Sequence, residues 1–390
     1  MPTKKRTPWL RLLLAATGAE VLYMSWAWFD LAHRPASTML FEQSPFFFAL
    51  WAGLFLLYVI AIHSIRHASG KGETMFILSV ALVFRATVLP IQLTSPPSTI
   101  VGPLELTLQS LPFFESSMWL EKALAIGTDI GALAIAPALL KAAGLSPTWT
   151  LVYGWNPLVI KEAGAGAHLE PVGLLLLVLA IRLVQKSSDM RAALAFGASL
   201  AGSLWTATSS PLMIGTLGAR VIVSFLFGAS AWAYFYLSGA LDLSLAMTGS
   251  VGGSLLPASV GLARTFVTRD PLYPVVLCFG VWLAVVLYRA FWKRPEPGKI
   301  PGEALLALGG FLMISPQVLP WHFIPVAYFA AFSRNPGWLV FTATAPLTYL
   351  AFQNGQWSGW SFWLGFLQYF PAYFALIFGW LGRSEKSRGG

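Results

Sequence analysis

The sequence predicts an all-α protein, a polytopic bundle of about 12–14 transmembrane helices that forms one integral membrane domain over residues 1–390. Three observations carry this. Hydrophobic residues make up 56% of the chain and charged residues only 11%, with a mean hydropathy of +0.67, which is too little polar surface to coat a water-soluble globule. Apolar runs of roughly 15–22 residues, all but two of them long enough to cross a hydrocarbon layer about 30 Å thick, recur with short connections between them. Lysines and arginines gather in alternate connections, the pattern that leaves basic loops on the cytoplasmic side.

In order, the expected spans lie near 9–29, 46–65, 75–94, 120–140, 147–163, 169–185, 191–210, 218–237, 245–265, 273–291, 301–315, 319–333, 337–353 and 361–382. An N-terminal helical pair (1–74) thus precedes a core (75–355), and a last span with a cytoplasmic tail follows (356–390). Lys4-Lys5-Arg6 ahead of the first apolar run reads as the flank of an uncleaved span, not of a signal peptide. On this count Lys4, Arg66, Lys71, Lys141, Lys186, Arg191, Lys293, Arg294, Lys299, Arg334 and Arg383 share one side, which places both termini in the cytoplasm. The same clusters account for the formal charge of +9 without a nucleic-acid partner. A single cysteine, Cys278, excludes a disulfide framework and a thiolate metal cluster.

Ionisable groups are expensive in a bilayer, so those that occur there are functional candidates. The stretch 151–171 concentrates them. Asn156-Pro157 breaks an apolar run, because proline has no N–H and restricts the residue before it, and the carbonyls so freed need partners. Gly164 and Gly166 allow the backbone to approach a ligand closely, and Glu162, His168 and Glu170 flank them. Other outer loops supply Asp30 and Glu42, then Arg264 and Arg269, then Gln317, Trp321 and His322. Acids, imidazoles and tryptophans from distant loops are therefore expected to meet at the outer face. Inside the spans, Glu20, Arg85, Asp129 and Asp242 should face the bundle interior, with Arg85 paired to Glu20 or Asp129, or else touching a ligand.

Each candidate has a plainer reading: a helix cap or headgroup contact for His168, an interfacial belt for His322 beside Trp321, and a pairing with Lys161 or Arg264 for Glu162. Asn156-Pro157 is at least a kink. His168, Glu170 and an outer-loop carboxylate leave room for a divalent cation, although their spacing matches no dedicated cage.

Tyr153-Gly154-Trp155-Asn156-Pro157-Leu158-Val159, then Glu162 and a Gly-x-Gly-x-His-x-Glu run over 164–170, form one motif; Ser315-Pro316-Gln317-Val318-Leu319-Pro320-Trp321-His322 forms a second. Together they resemble the polytopic glycosyltransferases of the GT-C class, in the branch that uses polyprenyl-phosphate-mannose donors. The resemblance extends over residues 75–355. It implies a GT-C-like core in a bacterial-type inner membrane, and transfer of a mannose-type sugar from a polyprenyl-phosphate donor to a glycolipid or polysaccharide acceptor on the extracytoplasmic side. On that resemblance Asp30 or Glu170 is the base, and His168, Arg264 or Arg269 stands near the departing phosphate. Glu42, Arg85, Asn156, Glu162, Gln317, Trp321 and His322 complete the substrate surroundings.

One departure counts against it. Members of the branch carry a long outer loop, with the acidic residue taken as base, after the span that matches 75–94. Here Ser95-Pro96-Pro97-Ser98-Thr99 runs straight into Ile100-Val101-Gly102-Pro103, so that base is missing, and either Asp30, Glu42, Glu105, Glu162 or Glu170 takes its place or the fold is kept without the reaction. Two further functions therefore stay open: a non-catalytic subunit or scaffold of a membrane complex, and a lipid or solute transporter, to which a proline-broken span and interior charges also belong.

Overall fold

The computed structural model describes residues 9–33, 44–66, 70–91, 118–237, 272–315, 318–333, 335–353, 356–357 and 361–388. Helices stand where the apolar runs predict them. The first are α1 (Trp9–His33), α2 (Pro45–Ile65), α3 (Lys71–Val88) and α4 (Met118–Ala142). α2 shows why such a helix starts where it does: the Ser44 hydroxyl accepts from Phe47 N at 3.1 Å, and Pro45 takes the first position, where a missing N–H goes unnoticed.

The next segment is irregular. It passes through a 3₁₀ turn (Pro147–Thr150), α5 (Leu151–Gly154), α6 (Pro157–Val159) and a π-turn (Ile160–Ala165). Then come α7 (Glu170–Gln185), α8 (Asp189–Gly202), α9 (Ser210–Leu217), α10 (Val221–Leu237), α11 (Leu272–Tyr288) and α12 (Ile300–Ile314). A 3₁₀ turn (Pro320–Phe323) leads to α13 (Ile324–Ser333), α14 (Pro336–Thr344), α15 (Leu347–Ala351) and α16 (Ser361–Arg388). Among the described residues the strand pairing is a two-residue antiparallel ladder, Phe352–Gln353 with Gln356–Trp357.

Among the described residues, five runs are long and apolar enough to cross a membrane: Trp9–Ala32, Pro45–Ile65, Trp119–Ala142, Thr206–Ala231 and Trp363–Leu381. Pro157–Ala165 with Glu170–Gln185 makes a sixth if this pair, bent by 117°, is one crossing. The sequence reading counts 147–163 and 169–185 as two spans, and its total of about 12–14 is larger than the number of such runs among the described residues. Length explains the smaller count: α8 has 14 residues, and a rise of about 1.5 Å per residue gives it about 21 Å, short of a core about 30 Å thick. The span expected at 245–265, with Asp242, lies outside the described residues.

The broken segment sits at the centre of the packing, with every residue from 151 to 165 buried. α5 packs on α3 and α13, and the π-turn on α3 and α4. The backbone groups freed by the break can be followed one by one. Pro157 donates nothing, and Leu158 N turns to its own N-cap, Asn156 Oδ1, at 3.0 Å. Gly154 O is left over and accepts from Arg85 Nη1 at 2.8 Å, while Val152 O accepts from Tyr58 OH at 2.6 Å. Side chains of α2 and α3 thus do what the regular helix would have done, as an apolar surrounding requires. Asn156 Nδ2 donates to Thr342 Oγ1 at 3.3 Å and Tyr58 OH at 3.4 Å, and Trp51 Nε1 to Ala343 O at 2.8 Å, so the N-terminal pair and α14 are tied to the break.

Candidate functional site

Two buried ionic groups flank the break. The first lies behind it. Arg85 Nε donates to Asp129 Oδ2, and the Tyr153 hydroxyl donates to Asp129 Oδ1. Arg85 Nη1 spans Ala81 O at 2.9 Å and Gly154 O. Arg85 is 1% exposed and Asp129 fully buried, so this group is closed off. Of the two partners open to Arg85, Asp129 is the one bonded; Glu20 instead accepts from the Thr87 hydroxyl. Lys122, buried at 1%, donates to Leu89 O at 3.1 Å and to Ile91 O, which places a cation at the C-terminal end of α3, where the helix dipole favours it.

The second group lies ahead of the break, in the π-turn, a local widening that recurs at functional sites. Lys161 and Glu162 are both fully buried and paired at 3.0 Å. The Tyr349 hydroxyl, on α15, receives from Lys161 Nζ at 2.8 Å and lies 2.8 and 2.9 Å from the two Glu162 oxygens. Lys161 also sits over the Tyr349 ring at 4.2 Å and faces the Phe47 ring at 6.0 Å. His168 N donates back to Glu162 O at 3.1 Å and closes the turn, bringing His168 Nε2 to 3.5 Å from Glu162 Oε2. The other face of the imidazole is stacked on Trp321, with centroids 3.8 Å apart and planes 19° from parallel. The His168 side chain is 9% exposed and is the one member of this cluster that reaches the exterior. Trp321 Nε1 and His168 Nε2 are buried without hydrogen-bond partners.

The loop geometry corrects the reading of its glycines. A Cβ on Gly164 would stand 2.6 Å from Val88 Cγ2, so this glycine serves the packing of the turn on α3 and not a ligand. A Cβ on Gly166 would stand 2.9 Å from Glu162 O and 3.0 Å from His168 Cδ2, so its smallness makes room for the imidazole. Between them and His168, Ala167 adopts φ 57°, a left-handed conformation that costs an L-residue about 1–2 kcal/mol.

The other sequence candidates fall as follows. His168, Glu162, Trp321 and His322 come together; Trp321 and His322 are 0% and 2% exposed and therefore packed in the core, not laid in an interfacial belt. His322 Nδ1 accepts from Leu319 N at 3.1 Å and holds the 3₁₀ turn. Glu170 opens α7, buried at 7% where helix N–H groups favour an anion, and Asp30 lies half-buried in the last turns of α1. The Arg85 and Asn156 side chains are engaged in holding the break. Glu42, Glu105, Arg264, Arg269 and Gln317 lie outside the described residues. Among the described residues no three His, Cys, Asp or Glu side chains gather to hold a metal ion.

The sequence reading named Lys161 only as a partner for Glu162 and did not name Tyr349. A lysine inside an apolar run was a usable signal; a tyrosine in the 337–353 run was not. Comparison of the chain with protein-family models, curated proteins and solved structures finds no match in any of the three.

Proposed function

We propose that this chain is a GT-C-like membrane transferase that moves a mannose-type sugar from a polyprenyl-phosphate donor to a hydroxyl acceptor on the extracytoplasmic side. One observation carries the reading: the two motifs on which the resemblance rests, about 150 residues apart, meet as the stack of His168 on Trp321 with Glu162 behind it. The chemistry is a displacement at the anomeric carbon. The acceptor oxygen forms the new bond, the bond from that carbon to the phosphate oxygen breaks, and its electron pair leaves with polyprenyl phosphate. The acceptor proton passes to His168, which stands at the mouth of the cluster, while buried Glu162 stabilises the imidazolium that results. This pair supplies the base that the shortened outer loop lacks, a role for which Asp30, Glu42, Glu105 and Glu170 are the other candidates in the sequence.

The test is transfer of labelled mannose from polyprenyl-phosphate mannose by the purified chain in liposomes. The reading expects turnover by the wild type and a fall on the order of 10²-fold in His168→Gln. Full activity in that variant, or no transfer from any polyprenyl-phosphate hexose, overturns it.

The 117° break favours a transporter as the second reading, because discontinuous helices line transport sites. Against it, His168 N closes the bend by donating to Glu162 O, and the carbonyls freed at the neighbouring Asn156–Pro157 break are taken up by Arg85 and Tyr58. Substrate flux across liposomes containing the chain, without sugar transfer, would support transport over transfer.

A further inference from the structure

Lys161 and Tyr349 form a directional chain of donors that ends at Glu162. A lysine ammonium carries donors only, so at the 2.8 Å Lys161–Tyr349 contact the phenolic oxygen accepts. The single Tyr349 proton is then left for Glu162, whose two oxygens lie 2.8 and 2.9 Å away. Glu162 Oε1 also accepts from Lys161 Nζ at 3.0 Å. A carboxylate held this way is an acceptor on every side, and Oε2 faces His168 Nε2 at 3.5 Å, longer than a formed hydrogen bond but in reach of one on a small closure.

We infer that Lys161 and Tyr349 are positioning residues that fix the tautomer of His168. The chain of donors presents an acceptor to Nε2, so the imidazole proton resides there, and Nδ1 keeps its lone pair as the nitrogen that works at the mouth. Gly166 and Trp321 enforce the same orientation: the loop closes on the Cδ2–Nε2 edge and the indole covers one face. Tyr349 lies on α15, nearly 190 residues from Glu162, so the last part of the bundle controls a group on the central break. The catalytic meaning of this assignment rests on the transferase reading; the tautomer itself does not.

Nitrogen-15 magnetic resonance of histidine-labelled protein in nanodiscs reads the tautomer without any donor substrate. The chain has five histidines, and the His168→Gln spectrum identifies the signal that disappears. The expected result is an Nε2–H tautomer in the wild type, a lower Nε2–H fraction in Tyr349→Phe and Lys161→Met, and recovery in Lys161→Arg. Transfer should fall roughly tenfold with the first two and recover with the third. Tyr349→Phe removes one oxygen and keeps the ring over Lys161, so its spectrum reports on a folded protein. An Nδ1–H tautomer in the wild type, or an Nε2–H fraction unmoved in both variants, overturns the assignment. A wild type that shows Nε2–H but transfers no sugar supports the assignment and overturns the transferase reading, so the two failures are told apart.

Discussion

The Arg85–Asp129 group and the Lys161–Glu162 group are both ion pairs buried inside the same bundle; the first reaches the helix break from α3 and α4 through Tyr153 and Gly154, and the second lies in the π-turn just after it. They differ in what surrounds them. Arg85 and Asp129 bond to each other, to Tyr153 and to the carbonyls of Ala81 and Gly154, and are 1% and 0% exposed. Lys161 and Glu162 lead through His168 to the exterior. Burial of charge alone therefore does not single out a candidate site; the second pair is the candidate because it adjoins an imidazole that is 9% exposed.

Breaking the first pair should produce the largest effect on folding. Arg85→Met leaves Asp129 uncompensated in an apolar interior and frees Gly154 O, and is expected to destabilise the protein by about 3–5 kcal/mol, measured by unfolding in mixed detergent micelles. If Arg85→Met unfolds like the wild type, the contrast between the regions is lost. His168→Gln should do the opposite, lowering transfer on the order of 10²-fold with the unfolding midpoint nearly unchanged.

Gly166→Ala sharpens the contrast within the second region. The added methyl meets Glu162 O and the imidazole, so it should cost about 1–3 kcal/mol and shift the His168 resonances, whereas overpacking at Gly164 against Val88 should cost a similar amount and leave them in place. The smallest effect belongs to Ala167→Gly. Removing Cβ at φ 57° relieves the left-handed strain and should stabilise the fold by up to about 1 kcal/mol in the same unfolding assay.

Helix positions were legible in the sequence because apolar runs and basic clusters act locally: α1, α2 and α4 begin and end within a few residues of the expected spans. The bend between the π-turn and α7 was not, since a reversal of 117° and two ordinary spans joined by a short loop have the same composition. For the site, the ionisable residues of 156–170 stood out by their cost in an apolar setting, and the second motif pointed to Trp321 and His322. Their burial did not, because a Trp-His pair at the end of an apolar run suits the interface as well as the core. Tyr349 carries no local signal; only the packing of α15 against the break gives its hydroxyl two partners.

Sugar transfer by His168→Gln, Glu162→Gln and the double variant, assayed in liposomes with polyprenyl-phosphate mannose, addresses the central claim most directly. Acting as one unit, the pair should lose on the order of 10²-fold activity in either single variant and little more in the double. Two single variants at wild-type rates, or losses that simply multiply in the double, would contradict a shared site built from Glu162 and His168.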